Sequence, residues 1–327
     1  MDRQLIILDM STPELLQQIQ NGIEKYKDSK MVAFLGVAGS GKTVISAITA
    51  RTLFKSFIPN SNGKWLGVYT SGDQKINDII RDMKRGKFPP HTPGEEYPDL
   101  TIEIHNTEGV PVKFELKLND MSGENYETFL VDAYPDIDER LNTILSCGAD
   151  YLAFAKKYVI IIDCAKIEDW DTDIASVNKM IMNIRKIKNK IHHFDEDEKM
   201  KETIAIIFNK SDLLSRDKQT IAVVDELSTD KQEITVDELS TDKQEITVDE
   251  LSTDNQEITV DELADLYLGL KSSLTINVPK NNYTFFKLSV QSTSIASNKL
   301  KVKLPLSYTE SEYNKFISWI FDVDSNE

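Results

Sequence analysis

The sequence predicts an α/β fold in three layers: a mostly parallel central sheet with one antiparallel edge strand, and helices on both faces. Three observations predict it. Short apolar runs suited to buried strands recur near residues 31–35, 158–163, 203–208 and 283–288. Stretches with helical spacing lie between the later ones, near 173–190 and 263–271, and strands alternating with helices favour a parallel sheet. After the first apolar run stands Gly36-Val37-Ala38-Gly39-Ser40-Gly41-Lys42-Thr43, the spacing of a phosphate-binding loop between a strand and a helix. Together they imply the P-loop NTPase arrangement.

Each element has its own local reason. Thr12-Pro13-Glu14 is a helix start, with a capping hydroxyl and a proline at the first helical position, and opens an amphipathic helix to Lys27. Residues 1–29 therefore read as an N-terminal helical extension, and 30–322 as one nucleotide-binding domain. Strand 31–35 leads into the glycine loop, and helix 43–57 follows with an N-terminus that favours anions. A strand near 65–70 and a helix near 73–85 come next. Residues 101–105 and 113–118 read as a hairpin, because Val112 to Leu118 alternates apolar and charged residues as a half-exposed strand does. A last helix, 311–321, carries Phe316, Trp319 and Ile320 on one face, as core packing requires.

The chemistry is concentrated at strand ends. Glycines allow the loop's N–H groups to turn inward, so Gly36, Gly39, Ser40, Gly41, Lys42, Thr43 and Val44 are expected to hold a triphosphate. Lys42 would reach the β- and γ-phosphates, and the Thr43 hydroxyl would ligate Mg2+. The run 203–208 ends in Asn209-Lys210-Ser211-Asp212. A carboxylate at Asp212 can accept from guanine N1–H and N2–H2, a donor pair that adenine lacks. The Lys210 stem can lie over the base while Asn209 braces the loop. A third element, Asp120-Met121-Ser122-Gly123-Glu124, ends the strand 113–118: Asp120 can hold Mg2+ through water, and the Gly123 N–H can sense a γ-phosphate. Asp163 is its rival. It ends the run from Tyr158, as the metal carboxylate of an ATPase would, but Cys164 stands where many ATPases place a water-activating Glu.

In this order the motifs resemble those of the translation-factor-related P-loop GTPases (the TRAFAC class): GxxxxGK[ST], a switch threonine, DxxG, NKxD and a late serine-containing loop. The resemblance spans roughly residues 30 to 322. It implies Thr92 as the switch threonine on Mg2+ and Ser289-Val290-Gln291 as the late loop beside the base; Thr101 and Thr107 are alternatives for the first. More narrowly, Gly86-Lys87-Phe88-Pro89-Pro90-His91-Thr92 with Asp120 to Glu124 is similar to the prokaryotic double-GTPase families, which act with partner proteins in defence or conflict systems. This chain holds one GTPase module. The resemblance implies GTP/GDP and Mg2+ as cofactors and a protein effector or activating partner, with Lys42, Thr92, Gly123 and Glu124 as the catalytic set. Many relatives carry Gln where Glu124 stands, and a carboxylate near the γ-phosphate is repelled, so slow hydrolysis is expected without a partner. Arg85, near where some relatives carry an arginine in cis, is a further candidate. The competing readings are an ATPase or kinase using Asp163, and a non-hydrolysing GTP-dependent scaffold.

Composition bounds the rest. Of a net charge of −16, residues 222–262 carry −12, from fourteen carboxylates against two lysines. The remaining −4 is ordinary for a cytosolic enzyme, and no nucleic-acid partner is expected. The acidic part is a repeat: Val224 to Thr235 recurs at 236–247 and at 248–259, and a fourth copy starts at Val260 before diverging. Twelve residues rotate the apolar positions by about 120° per copy, so one helix would show no continuous stripe. Segment 224–259 thus reads as an acidic insert within the domain, without a catalytic role. Tyr126, with Met121 and Asn125, falls in the second switch, where exposed apolar groups could face an effector. His192 and His193 before Asp195–Glu198 read as a solvated linker, not a metal cluster. No stretch of about 18 apolar residues is present. The apolar run at 5–8 is too short for a secretion signal, and the sequence does not end in a lipidation cysteine. Cys147 and Cys164 suggest no disulfide framework, and a cytoplasmic setting is expected. Oligomeric state is not legible.

Overall fold

Alternate residues of one strand face two different cores, and this fixes the layers. In β1 (Ser29–Leu35), Met31, Ala33 and Leu35 join one buried cluster while Val32 and Phe34 join the other. β6 (Lys157–Asp163) and β7 (Thr203–Asn209) divide in the same way. A strand buried on both faces needs apolar residues at every position, which is why these runs are continuous and not alternating. A computed structural model of the chain describes residues 12–27, 29–55, 58–60, 63–71, 73–89, 99–106, 115–120, 126–134, 136–165, 170–195, 197–211, 259–266, 268–290, 292–294, 300–302 and 306–321.

The central sheet also contains β2 (Ile58–Asn60), β3 (Gly63–Ser71), β4 (Asp99–Asn106), β5 (Glu115–Asp120) and β8 (Tyr283–Lys287), in the order β2-β3-β4-β5-β1-β6-β7-β8. β5, β1, β6, β7 and β8 run parallel. The antiparallel margin is broader than the one edge strand expected: β4 pairs with β5, β3 with β4, and β2 with β3. Only two residues separate β2 from β3, so that pair reverses locally without the crossover a parallel pair demands. A separate two-stranded ribbon joins β9 (Ser292–Ser294) to β10 (Leu300–Val302).

Helices cover both faces. On one lie α2 (Lys42–Lys55), α3 (Asp73–Lys84) and α9 (Glu310–Phe321), whose Ile45, Ile48, Ile80, Tyr313, Phe316 and Ile320 meet Val32 and Phe34. The Phe316 ring meets Phe34 edge-on at 6.3 Å and Phe286 at 5.3 Å, and Trp319 stacks on it at 5.8 Å. Full burial of each such side chain stabilises by about 1.5–3 kcal/mol relative to exposure. On the other face lie α1 (Pro13–Tyr26), α4 (Ile137–Ser146), α5 (Tyr151–Phe154), α6 (Trp170–His192), α7 (Val260–Leu266) and α8 (Leu268–Asn277).

Several local readings meet their structure here. The Thr12 hydroxyl accepts from Leu15 N at 3.3 Å, and Leu15, Ile19, Gly22 and Tyr26 form the buried stripe of α1. A Cβ at Gly22 would lie 2.1 Å from the Phe154 ring, so the glycine lets α1 and α5 approach closely. α7 starts with a reciprocal cap: Glu262 N donates to Thr259 Oγ1 at 3.2 Å, and Thr259 N donates to Glu262 Oε2 at 2.7 Å. The same Thr-Val-Asp-Glu string recurs at 235–238 and 247–250, which lie with most of the repeat outside the described residues.

Tyr126 corrects an expectation. It is fully buried, not offered to an effector, because a π-helical turn at Glu127–Val131 folds that stretch onto the core. Arg140 donates to the carbonyls of Phe129 and Asp132, and Asn183 Nδ2 donates to Leu130 O at 2.7 Å, so this turn is tied from two helices. His192 ends α6 and bonds Glu202 at 2.9 Å, while His193 turns away with φ +55°. Both cysteines are free, Cys147 exposed and Cys164 buried. Among the described residues no helix is long and apolar enough to cross a membrane.

Candidate functional site

The carboxyl ends of β1, β6 and β7 meet at one edge of the sheet, and Gly36 to Thr43 crosses it between β1 and α2. The loop's geometry demands its glycines. Gly36 has φ +146° and Gly41 φ +96°, a region that L side chains rarely adopt. Space is also lacking: a Cβ on Gly36 would sit 2.5 Å from Ile161 O, and one on Gly41 would sit 2.2 Å from Asn209 Nδ2. Gly39 also has positive φ, at +79°.

Two lysines hold the loop from within and from across the sheet. Lys42, buried at the start of α2, donates to Gly36 O at 2.8 Å and Val37 O at 3.1 Å. Its stem is thus curled back along the loop. Lys210 Nζ reaches from the end of β7 to Gly39 O at 2.9 Å. Its neighbour Asn209 donates from Nδ2 to Ser40 O at 2.6 Å and accepts the Lys210 N–H on Oδ1 at 2.9 Å. That last bond supports Lys210 in a left-handed conformation, φ +59°, which costs a non-glycine residue about 1–2 kcal/mol. Residues 169 positions apart are therefore one constellation, and the tetrapeptide's first two members brace the phosphate loop.

Asp163 is the residue whose role the sequence did not reveal. It ends β6 in register with Asn209, is 1% exposed, and accepts from Lys210 Nζ on Oδ2 at 2.5 Å. Its Oδ1 accepts the Ala165 N–H at 3.1 Å. Neighbouring strand ends were the available signal, but which strands are neighbours is not written locally.

The two carboxylates weighed for the metal stand at different heights. Asp120 pairs with Phe34 across β5 and β1, two residues before Gly36. Asp163 lies three residues beyond the Leu35–Ile160 pair, about 10 Å further along its strand. The β8 end is level with the β7 end, Lys287 opposite Phe208, so Ser289 and Val290 follow it at the same edge. Val290 is buried and bridges to Tyr308. Thr43 is partly exposed in the first turn of α2, and Val44 is buried against the core. Thr101 lies within β4, paired to both neighbouring strands. Arg85 sits exposed in the turn after α3. Thr92, Thr107, Met121, Gly123, Glu124, Asn125, Asp212 and Gln291 lie outside the described residues.

The hydroxyls of Ser40, within the loop, and of Ser211, two residues after Asn209, are buried with no protein partner among the described residues. Buried hydroxyls left unpaired are costly, so their presence here suits a polar ligand or bound water.

Comparison with known proteins adds the lineage. A family model described as Double-GTPase 2 matches residues 30–265. No curated protein matches. Two solved structures of the S. cerevisiae Ski7 GTPase-like domain are similar at 16% identity. One, bound to GDP and inorganic phosphate, has a TM-score of 0.37, covering 83% of this chain and 45% of that one. The other, bound to GTP, has a TM-score of 0.40, covering 94% and 53%. The present chain spans about half the length of those two.

Proposed function

Because this chain belongs to the Double-GTPase 2 family, we propose that it binds Mg2+·GTP in one pocket, hydrolyses it slowly, and acts as a nucleotide-dependent switch for a partner protein. One observation supports this reading above the rest: Asn209 and Lys210 bond directly to Ser40 and Gly39, so phosphate grip and base recognition share a frame. In this reading Lys42 and the loop N–H groups from Gly39 to Thr43 hold the phosphates. Asp212 takes the amino edge of guanine, and Ser289 and Val290 close the base side. Thr43, Asp120 and Thr92 would hold Mg2+, which when bound neutralises charge on the phosphates. Thr92, Gly123 and Glu124 belong to the segments that would order around a γ-phosphate.

The competing ATPase reading needs Asp163 free to face a metal. In this structure its carboxylate accepts from Lys210 and the Ala165 N–H, bonds that a metal would have to share or displace. Competition of GTP and ATP against a fluorescent guanine nucleotide tests the choice. GTP is expected to displace it and ATP to fail; equal displacement refutes guanine recognition. Asp212→Asn should shift preference toward xanthine nucleotides, which carry an acceptor where guanine donates. Single-turnover phosphate release then separates a slow GTPase from a scaffold that never hydrolyses.

A further inference from the structure

The Asp163–Lys210 contact is not explained by phosphate binding alone. Asp163 is almost wholly buried, and its two oxygens are divided between Lys210 Nζ at 2.5 Å and the backbone of Ala165 at 3.1 Å. Burying a carboxylate costs several kcal/mol unless it is paired and hydrogen-bonded, and both conditions are met here. Lys210 is the mobile partner. Its side chain is 20% exposed, and a lysine stem has four rotatable bonds with nothing intrinsic to hold it. Two acceptors, one on the loop and one on β6, fix the ammonium between them. Its stem must then cross the gap from the end of β7 to Gly39, the surface against which a purine would lie.

We infer that Asp163 is a positioning residue for base recognition: it holds Lys210 extended against the phosphate loop as a preformed shelf for the purine ring. The inference rests on the guanine-nucleotide reading above and deepens it. Without Asp163 the Lys210 ammonium keeps only the Gly39 carbonyl, and its stem samples rotamers that leave the shelf. Binding a purine must then order that side chain, which weakens affinity for any ligand carrying the base. A ligand without a base is indifferent to the shelf.

The test uses the full chain with Asp163→Asn, Lys210→Met and the double variant, each first checked by thermal melt. Asp163→Asn keeps the shape of the side chain, and the double variant buries no unpaired charge, so at least these two should fold. Affinity is measured for GDP by fluorescence titration and for inorganic tripolyphosphate by competition. Asp163→Asn is expected to weaken GDP about tenfold while leaving tripolyphosphate within about twofold. The double variant should be no weaker than the worse single one, because both break the same contact. The Mg2+ concentration giving half-maximal GTP binding should not move. Equal losses for GDP and tripolyphosphate, additive losses, or a raised Mg2+ requirement would each overturn the inference. A wild-type chain that shows no guanine preference sinks the functional reading instead, so the two failures are distinguishable.

Discussion

Lysines are buried at both ends of this sheet, and the two ends use them differently. At the carboxyl end Lys42 and Lys210 bind carbonyls of a loop whose glycines hold positive φ. At the amino end Lys30 and Lys157 donate to the last carbonyls of α9, at Phe321 and Trp319. Lys188 bonds Ala155 O at 2.5 Å and faces Glu202 at 3.3 Å. Cations on the last carbonyls of a helix satisfy orphan acceptors and complement its dipole. At the amino end the lysines thus meet helix and strand-end carbonyls, whereas at the carboxyl end they hold the irregular backbone of the glycine loop. Of the two non-glycine residues with positive φ among the described residues, Lys210 lies at the carboxyl end and His193 at the amino end, so what sets the carboxyl end apart is the glycine loop that its lysines hold, not buried charge by itself.

The contrast can be broken from the amino end first. Lys188→Met removes the ammonium that faces buried Glu202 and should cost about 3 kcal/mol in urea unfolding, with GDP affinity unchanged. A comparable fall in GDP affinity would show that the ends are coupled. At the carboxyl end Lys42→Met should weaken triphosphate binding at least about a hundredfold, since it removes charge-assisted bonds worth about 1.5–3 kcal/mol each. If binding persists, Lys42 does not face the phosphates.

The acid limb of stability sharpens the same comparison. Burial works to raise the Glu202 carboxyl, but the His192 hydrogen bond and the Lys188 charge outweigh it and hold Glu202 below the ordinary carboxylate value. A depressed folded value stabilises above the unfolded one, about 4.3, and that contribution is lost as pH falls through the folded value. Stability of the wild type should therefore drop more steeply than that of Glu202→Gln below about pH 4, read by denaturant midpoints across pH. Parallel curves would remove Glu202 from the acid response. The smallest effect is expected at Gly22→Ala. Helix propensity favours alanine by about 1 kcal/mol, but crowding the Phe154 ring costs about 1–3. The net loss should be near 1 kcal/mol, and a gain in melting temperature would show that the ring moves freely.

How legible the fold was depended on the range of the signal. β1, β6 and β7 are continuous apolar runs because both faces are covered, and α1 announced itself through Thr12 and Pro13. The breadth of the antiparallel margin was not legible, since the strand at 63–71 could pair anywhere along an open edge until β4 took it. Tyr126 was misjudged for a related reason: a π-helical turn has no sequence period to betray it, and of the residues holding it Arg140 comes from the next helix while Asn183 lies 53 residues from the Leu130 carbonyl it bonds.

The candidate site divides along the same line. Spacing alone marked the candidate phosphate loop, because glycines at 36, 39 and 41 with Lys42 and Thr43 are a local pattern that lets backbone N–H groups wrap around an anion. Spacing also marked 209–212 as a candidate base-reading turn, and the structure places Asn209 at the end of β7. Only tertiary structure could place Asp163 beside Lys210 and Asn209 against Ser40. Those contacts follow from which parallel strands are neighbours and in what register, a matter decided by packing helices on two faces and not by any residue's own neighbours in the chain.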